Sequence, residues 1–172
     1  MTIPFTSAEV SSAIKLLASR SLIRLVTEID DNGAIPPRRL AAILPDLSSH
    51  HLRRATEEAR ARGLVRIAPG AGLELTESGS ELADLYDAAA RWARHHAYPA
   101  PVCEFSVRVR HVLDLLGPSL AAEPADGPSR PSAGRLPSAE AEGDLARPRT
   151  LLIQWLAGNP QVTRVSEPEP VA

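Results

Sequence analysis

The sequence predicts a mainly α-helical fold carrying one small β-hairpin, with a disordered C-terminal tail. Three observations lead there. Apolar residues recur at helical spacing from Ser7 to Asp31, from Ser48 to Arg62 and from Thr76 to His96. Two short apolar runs, Leu64–Ile67 and Leu73–Leu75, flank Pro69-Gly70-Ala71-Gly72, as in a hairpin. Nine of the 16 prolines lie at or after Pro118, where the chain turns rich in Pro, Gly, Ser and Ala.

The first helical stretch carries Val10, Ile14 and Leu17, then Leu22, Leu25, Val26 and Ile29, with a break expected near Ser19–Ser21. Asp30-Asp31-Asn32-Gly33 ends it. Pro36-Pro37 suit the first turn of a short second helix, Arg38 to Leu44, where no N–H donor is needed. Pro45-Asp46-Leu47 is the turn, and Ser48 caps a third helix that runs to about Arg62 and closes at Gly63. After the hairpin, Thr76 caps a long helix with the stripe Leu82, Leu85, Tyr86, Ala89, Trp92, Ala93 and His96. Pro99 and Pro101 interrupt, and a last helix from Val102 to Leu116 carries Phe105, Val109, Val112, Leu113 and Leu116.

Helix, short helix, tight turn, helix, hairpin, long helix is the order of a winged helix-turn-helix. Residues 1–117 are expected to form this unit with its flanking helices. Residues 118–147 lack the apolar residues needed to offset ordering entropy and read as a disordered linker. Residues 148–158 read as a short amphipathic helix, Pro near its start and Gly158 at its end, that docks on the folded unit or on a partner. Residues 159–172 read as a disordered tail.

Composition excludes several classes. No apolar run approaches the roughly 20 residues of a membrane helix, and the first residues do not read as a secretory signal. One cysteine, Cys103, rules out an internal disulfide and a multi-cysteine zinc site, which fits a cytoplasmic setting. There is no Gly-rich phosphate loop, no Gly-x-Ser-x-Gly elbow and no carboxylate pair placed in a cleft, so an enzyme is not expected, nor a cofactor.

Net charge is −2, but the distribution is uneven. Between Pro36 and Gly70 seven arginines face three acids, whereas from Ala121 onward five arginines face seven acids. With Leu52 turned inward, steps of about 100° put Ala55, Thr56, Ala59 and Gly63 on the same side and His50, Arg54, Glu57 and Ala61 opposite. The outer face of the third helix thus presents His50, Arg53 and Arg54 near its N-terminus, with Ser48 and Ser49 at its start. In a helix-turn-helix this end meets base edges in the major groove, and arginine pairs bidentately with guanine. Arg38 and Arg39 ahead of it, and Arg66 at the base of the hairpin, are placed to reach phosphates. An arginine-rich helix face is ordinarily just solvated; its place in this element order is what points to DNA.

The run Leu40–Ala55, then Ala61-Arg62-Gly63-Leu64-Val65-Arg66, then Leu73-Glu74-Leu75-Thr76-Glu77-Ser78-Gly79-Ser80-Glu81-Leu82, and finally Trp92, resembles the HxlR-type winged helix-turn-helix regulators of bacteria. That family shows, in this order, a turn with Ser and Leu leading into the recognition helix, a Gly-Leu-Val strand start, a Leu-Thr-x-x-Gly-x-x-Leu hairpin exit and a following Trp. The resemblance covers roughly residues 16–96 and implies a dimeric transcription regulator. The chain departs from the pattern in lacking an N-terminal cysteine, in having Pro36-Pro37 where the family usually has Arg-Phe, and in a hairpin tip without arginine.

The expected function is therefore sequence-specific binding of double-stranded DNA by a homodimer, with dimerisation helices drawn from the first and last. Surplus apolar residues on the long helices, among them Val102, Val107 and Leu115, suggest the two-fold interface. Two other readings stand beside it. One is a winged-helix protein-interaction module that does not bind DNA and docks through its helices or tail. The other is a regulator with a small-molecule effector in an apolar pocket between the long helices. His95-His96, Cys103, Glu104 and His111 are spaced too loosely to predict a metal site, and Cys103 reads as a small apolar residue rather than a redox switch.

Overall fold

The computed structural model describes residues 5–121 and 138–164. Most of the expected linker (122–137) and the end of the expected tail (165–172) lie outside them. The protein is mainly helical with a single two-stranded antiparallel hairpin among the described residues.

Helix α1 (Ser7–Leu17) starts at a reciprocal cap. The Glu9 carboxylate accepts from the Thr6 N–H (2.7 Å), and Thr6 Oγ1 accepts from the Glu9 N–H. The predicted break falls at Ser19, whose side chain caps α2 (Arg20–Asn32). Gly33, at φ +82°, ends α2. The short second helix is not one piece. Pro36-Pro37 lead into a 3-10 turn (Pro37–Arg39), closed by Arg39 N–H donating to Pro36 O, before α3 (Leu40–Ile43). Helix α4 (Ser49–Ala61) has Ser48 as N-cap.

Strands β1 (Val65–Ala68) and β2 (Gly72–Leu75) pair antiparallel, with Arg66 opposite Glu74. A third segment joins them through the reciprocal hydrogen bonds of Ile35 and Leu73 (2.8 and 2.9 Å). Two glycines make this corner feasible. Gly72 has φ +111°, and a Cβ there would lie 2.6 Å from Ile35 O. At Gly79 a Cβ would lie 2.0 Å from Leu64 O, so the first turn of α5 (Glu77–His95) rests directly on the start of the hairpin. The Leu-Thr-x-x-Gly spacing is thus a packing requirement.

The core runs the length of the chain. Tyr86 on α5 is fully buried, and its hydroxyl donates to Leu17 O (2.7 Å); burial pushes its pKa up. Helix α6 (Phe105–Leu116) packs on α5 through Val109, Val112 and Leu113. It starts three residues later than predicted, because Glu104 is its N-cap, and this leaves Val102 outside the helix and exposed.

The C-terminal region differs most from expectation. Gly117–Leu120 is a 3-10 turn with Leu120 buried against the core. Ala139–Asp144 is a helix, α7, where composition pointed to disordered linker. Helix α8 (Ala146–Gly158) contains the predicted short helix, and α9 (Pro160–Thr163) follows where tail was expected. Helix α8 packs on α5, burying Leu152, Trp155 and Leu156, and α9 packs on α1. Local composition missed α7 because its stability comes from tertiary contact. Trp92 Nε1 donates to Ala141 O (2.9 Å), and Ala141 is buried. Trp155 Nε1 likewise donates to Ser78 O.

The main apolar stripes of α5 and α6 are buried within the chain, while Val107 and Leu115 are half-buried. Among the described residues only Ile67 and Val102 are large apolar side chains left exposed. No described helix is long and apolar enough to cross a membrane.

Candidate nucleic-acid interface

Helix α4 has two unlike sides. Leu52, Ala55 and Ala59 are buried, and Thr56 turns its hydroxyl back to Leu52 O (2.8 Å). Gly63, placed on this side by helical spacing, instead lies past the helix end, exposed and at φ +71°. The opposite side carries His50, Arg53, Arg54 and Glu57, all exposed. Anchoring Leu52 in the core while the polar side faces solvent fixes how the helix is rolled, and so which side chains a ligand meets.

The predicted residues do not stand alike. Arg38 and Arg39 are exposed on the 3-10 turn ahead of α3. Arg38, Arg39, Arg53 and Arg54 form no ion pair among the described residues. Ser49 and His50 are exposed in the first turn of α4. Ser48 is exposed, but its hydroxyl is engaged in the cap, accepting from the His51 N–H (3.2 Å) and meeting His51 Nδ1 at 2.8 Å. Arg66 is also committed: its Nε donates to Glu74 Oε1 at 2.6 Å across the hairpin.

Other arginines are structural. Arg20 and Arg24 of α2 both reach Asp46, in the turn between α3 and α4, at 2.9 to 3.2 Å. The hydrogen bond from Arg24 holds the Asp46 carboxyl below the ordinary range, and Asp46 in turn raises Arg24. These contacts link α2 to the turn that precedes α4. At the far end of α4, Arg62 donates to Gln161 O, and Gln161 Nε2 donates back to Arg62 O (3.0 Å).

Sequence reasoning missed Lys15. A cleft of about 380 Å³ between α1, the start of α2 and α4 is lined by Lys15, Ser19, His51, Arg54, Glu58 and Arg62. The chain's single lysine thus lines the same cleft as Arg54, together with Glu58 and Arg62. Nothing in the local pattern of α1 could have signalled this, because it depends on how α1 packs.

A cleft between α2, α5 and α6 is lined by Arg24, Asp30, Asp31 and Asp87 together with Thr27, Ala83 and Phe105. Partial burial raises the Asp30 pKa there, helped by the neighbouring carboxylates. Compared with family models, curated proteins and solved structures, the chain matches none.

Proposed function

We propose that this chain is a DNA-binding transcription regulator of winged helix-turn-helix type, with α3, its turn and α4 as the helix-turn-helix and β1–β2 as the wing. One observation carries the reading. Four arginines, Arg38, Arg39, Arg53 and Arg54, stand exposed and form no ion pair among the described residues, while the back of α4 is fixed in the core. In this reading Arg53, Arg54, His50 and Ser49 approach base edges and Arg38 and Arg39 hold phosphates. Lys15 adds a flanking phosphate contact, and Ser48 contributes by capping the helix. The resemblance to HxlR-type regulators supports the same assignment.

The homodimer remains part of the proposal, presenting two α4 helices about 34–36 Å apart to a two-fold site. Of the residues that first suggested its interface, Val102 stands exposed and Val107 and Leu115 are half-buried, while the main stripes of α5 and α6 pack within the chain. The protein-interaction reading, docking through helices or tail, stands beside it; within residues 148–158, Leu152, Trp155 and Leu156 are buried in this chain.

The test is duplex binding followed against salt, with the chain's own upstream DNA as probe. Arg38, Arg39 and Lys15 of two protomers would neutralise about six phosphates, a log–log slope near −5, so affinity should fall about 1,000-fold between ~50 and ~200 mM salt. Absence of salt-sensitive binding would remove the proposal.

A further inference from the structure

The end of α5 gathers a group of side chains that DNA binding does not use. Successive residues of a regular helix point about 100° apart, which is why His95-His96 alone predicts no shared ion. Here His95 is the last residue of α5 and His96 its C-cap, with Ala97 at φ +51° turning the chain away. The two imidazoles lie 4.8 Å apart, edge to face. Asp144, the last residue of α7, arrives from the C-terminal region, and its Oδ2 sits 3.1 Å from His96 Nε2. The docking of α7 on Trp92 through Ala141 puts it there.

We propose that His95, His96 and Asp144 form a binding site for a divalent transition metal of borderline softness, with zinc as the best match. The three residues offer donor atoms that all lie within 4.8 Å of one another. Zinc bonds to imidazole nitrogen and carboxylate oxygen are about 2.0–2.2 Å, which sets tetrahedral donors roughly 3.4 Å apart. His95 and Asp144 are largely exposed, so small rotations of their side chains close the difference. His96 is the fixed member: its side chain is 13% exposed, with the Trp92 ring 5.1 Å away. Two nitrogens and one oxygen select zinc, cobalt or nickel over calcium or magnesium, which prefer all-oxygen shells. The surrounding cleft, about 400 Å³, leaves room for a fourth ligand from solvent. Arg91 and Arg147 also line it; Arg91 is paired with Asp87. Their positive charge holds the affinity below that of a buried structural zinc site. The bound ion would tie α7 to the end of α5, two elements joined here by the Trp92–Ala141 and His96–Asp144 contacts.

The site stands independently of the DNA-binding proposal and is tested without DNA. The full chain, stripped with a chelator, is titrated with zinc alone by calorimetry, with metal content measured after desalting. One equivalent per chain is expected, together with a rise in Tm. Cobalt in place of zinc should give the visible absorption of a four-coordinate ion. His95→Ala and Asp144→Asn should each weaken binding more than 10-fold and abolish the cobalt spectrum with the circular dichroism unchanged, while a His50→Ala/His51→Ala double variant binds as the parent does. No stoichiometric uptake by the parent, uptake that survives both ligand substitutions, or uptake lost with His50 and His51 would each overturn the assignment.

Discussion

The arginines of α2 and those of the 3-10 turn and α4 meet opposite fates. On α2, Arg20 and Arg24 share the single carboxylate of Asp46, one of them through two hydrogen bonds. On the 3-10 turn and α4, Arg38, Arg39, Arg53 and Arg54 have no acid among the described residues. The first set joins two elements. The second joins no two elements through an ion pair among the described residues. Such a strip is open to solvent and to an anionic ligand alike. Counting arginines therefore says less than asking which of them already have partners.

The sharpest way to break this comparison is to exchange the two sets. Arg53→Ala with Arg54→Ala removes two charges and the proposed base contacts, worth together about 3 kcal/mol, so duplex affinity should fall ~100-fold. Tm should move by less than about 2 °C, since neither side chain packs or pairs. Arg20→Ala with Arg24→Ala should do the reverse, lowering Tm while leaving intrinsic DNA contacts in place. Anisotropy and thermal melts on both variants decide. If the two pairs lose affinity and stability in the same proportion, the division into structural and binding arginines is wrong.

A milder test uses acid. Asp46 has its pKa lowered, chiefly by the Arg24 hydrogen bond, so the folded state holds that proton less tightly than the unfolded chain. Its contribution is present above the unfolded value near 4 and is lost as pH falls through the lower folded value. The pair is about one-third exposed, so roughly 1 kcal/mol is at stake. Asp46→Asn should cost about that much at pH 7 and should flatten the stability profile between about pH 5 and 3 relative to the parent. A parallel profile in both proteins would mean that the ion pair does not hold the turn.

What could be read in advance follows the range of the interactions involved. The Ser48 cap, the buried side of α4 and the hairpin rest on neighbours within a few residues, and helical or alternating spacing exposes them. Helix α6 starts three residues later than its apolar pattern predicts, because Glu104 caps it and leaves Val102 outside. Helix α7 was illegible: Ala139–Asp144 is polar and contains a glycine, and what orders it is the Trp92 indole on another helix. Lys15 in one cleft with Arg54 and Asp144 beside His96 were hidden for the same reason. Each meeting joins distant stretches of chain, and no residue pattern in one stretch reports the other. The Arg66–Glu74 pair lies between these cases, because the register that joins them is set by the length of the hairpin loop.

That pair supplies the smallest and most discriminating effect. Arg66 was expected to reach phosphate, yet its Nε donates to Glu74 Oε1, and a cross-strand pair of this kind is worth about 0.2–1 kcal/mol. Binding DNA through Arg66 would require loosening that bond, so Glu74 acts as a competitor for the phosphate. Glu74→Ala should then tighten duplex binding about threefold at low salt, and the gain should vanish in the Arg66→Ala background. Arg66→Ala alone should weaken binding by less than threefold, since the arginine is only partly available. A full double-mutant cycle measures the coupling directly. If Glu74→Ala leaves affinity unchanged, Arg66 touches no phosphate, and the hairpin stands clear of the duplex while α4 carries the contact alone.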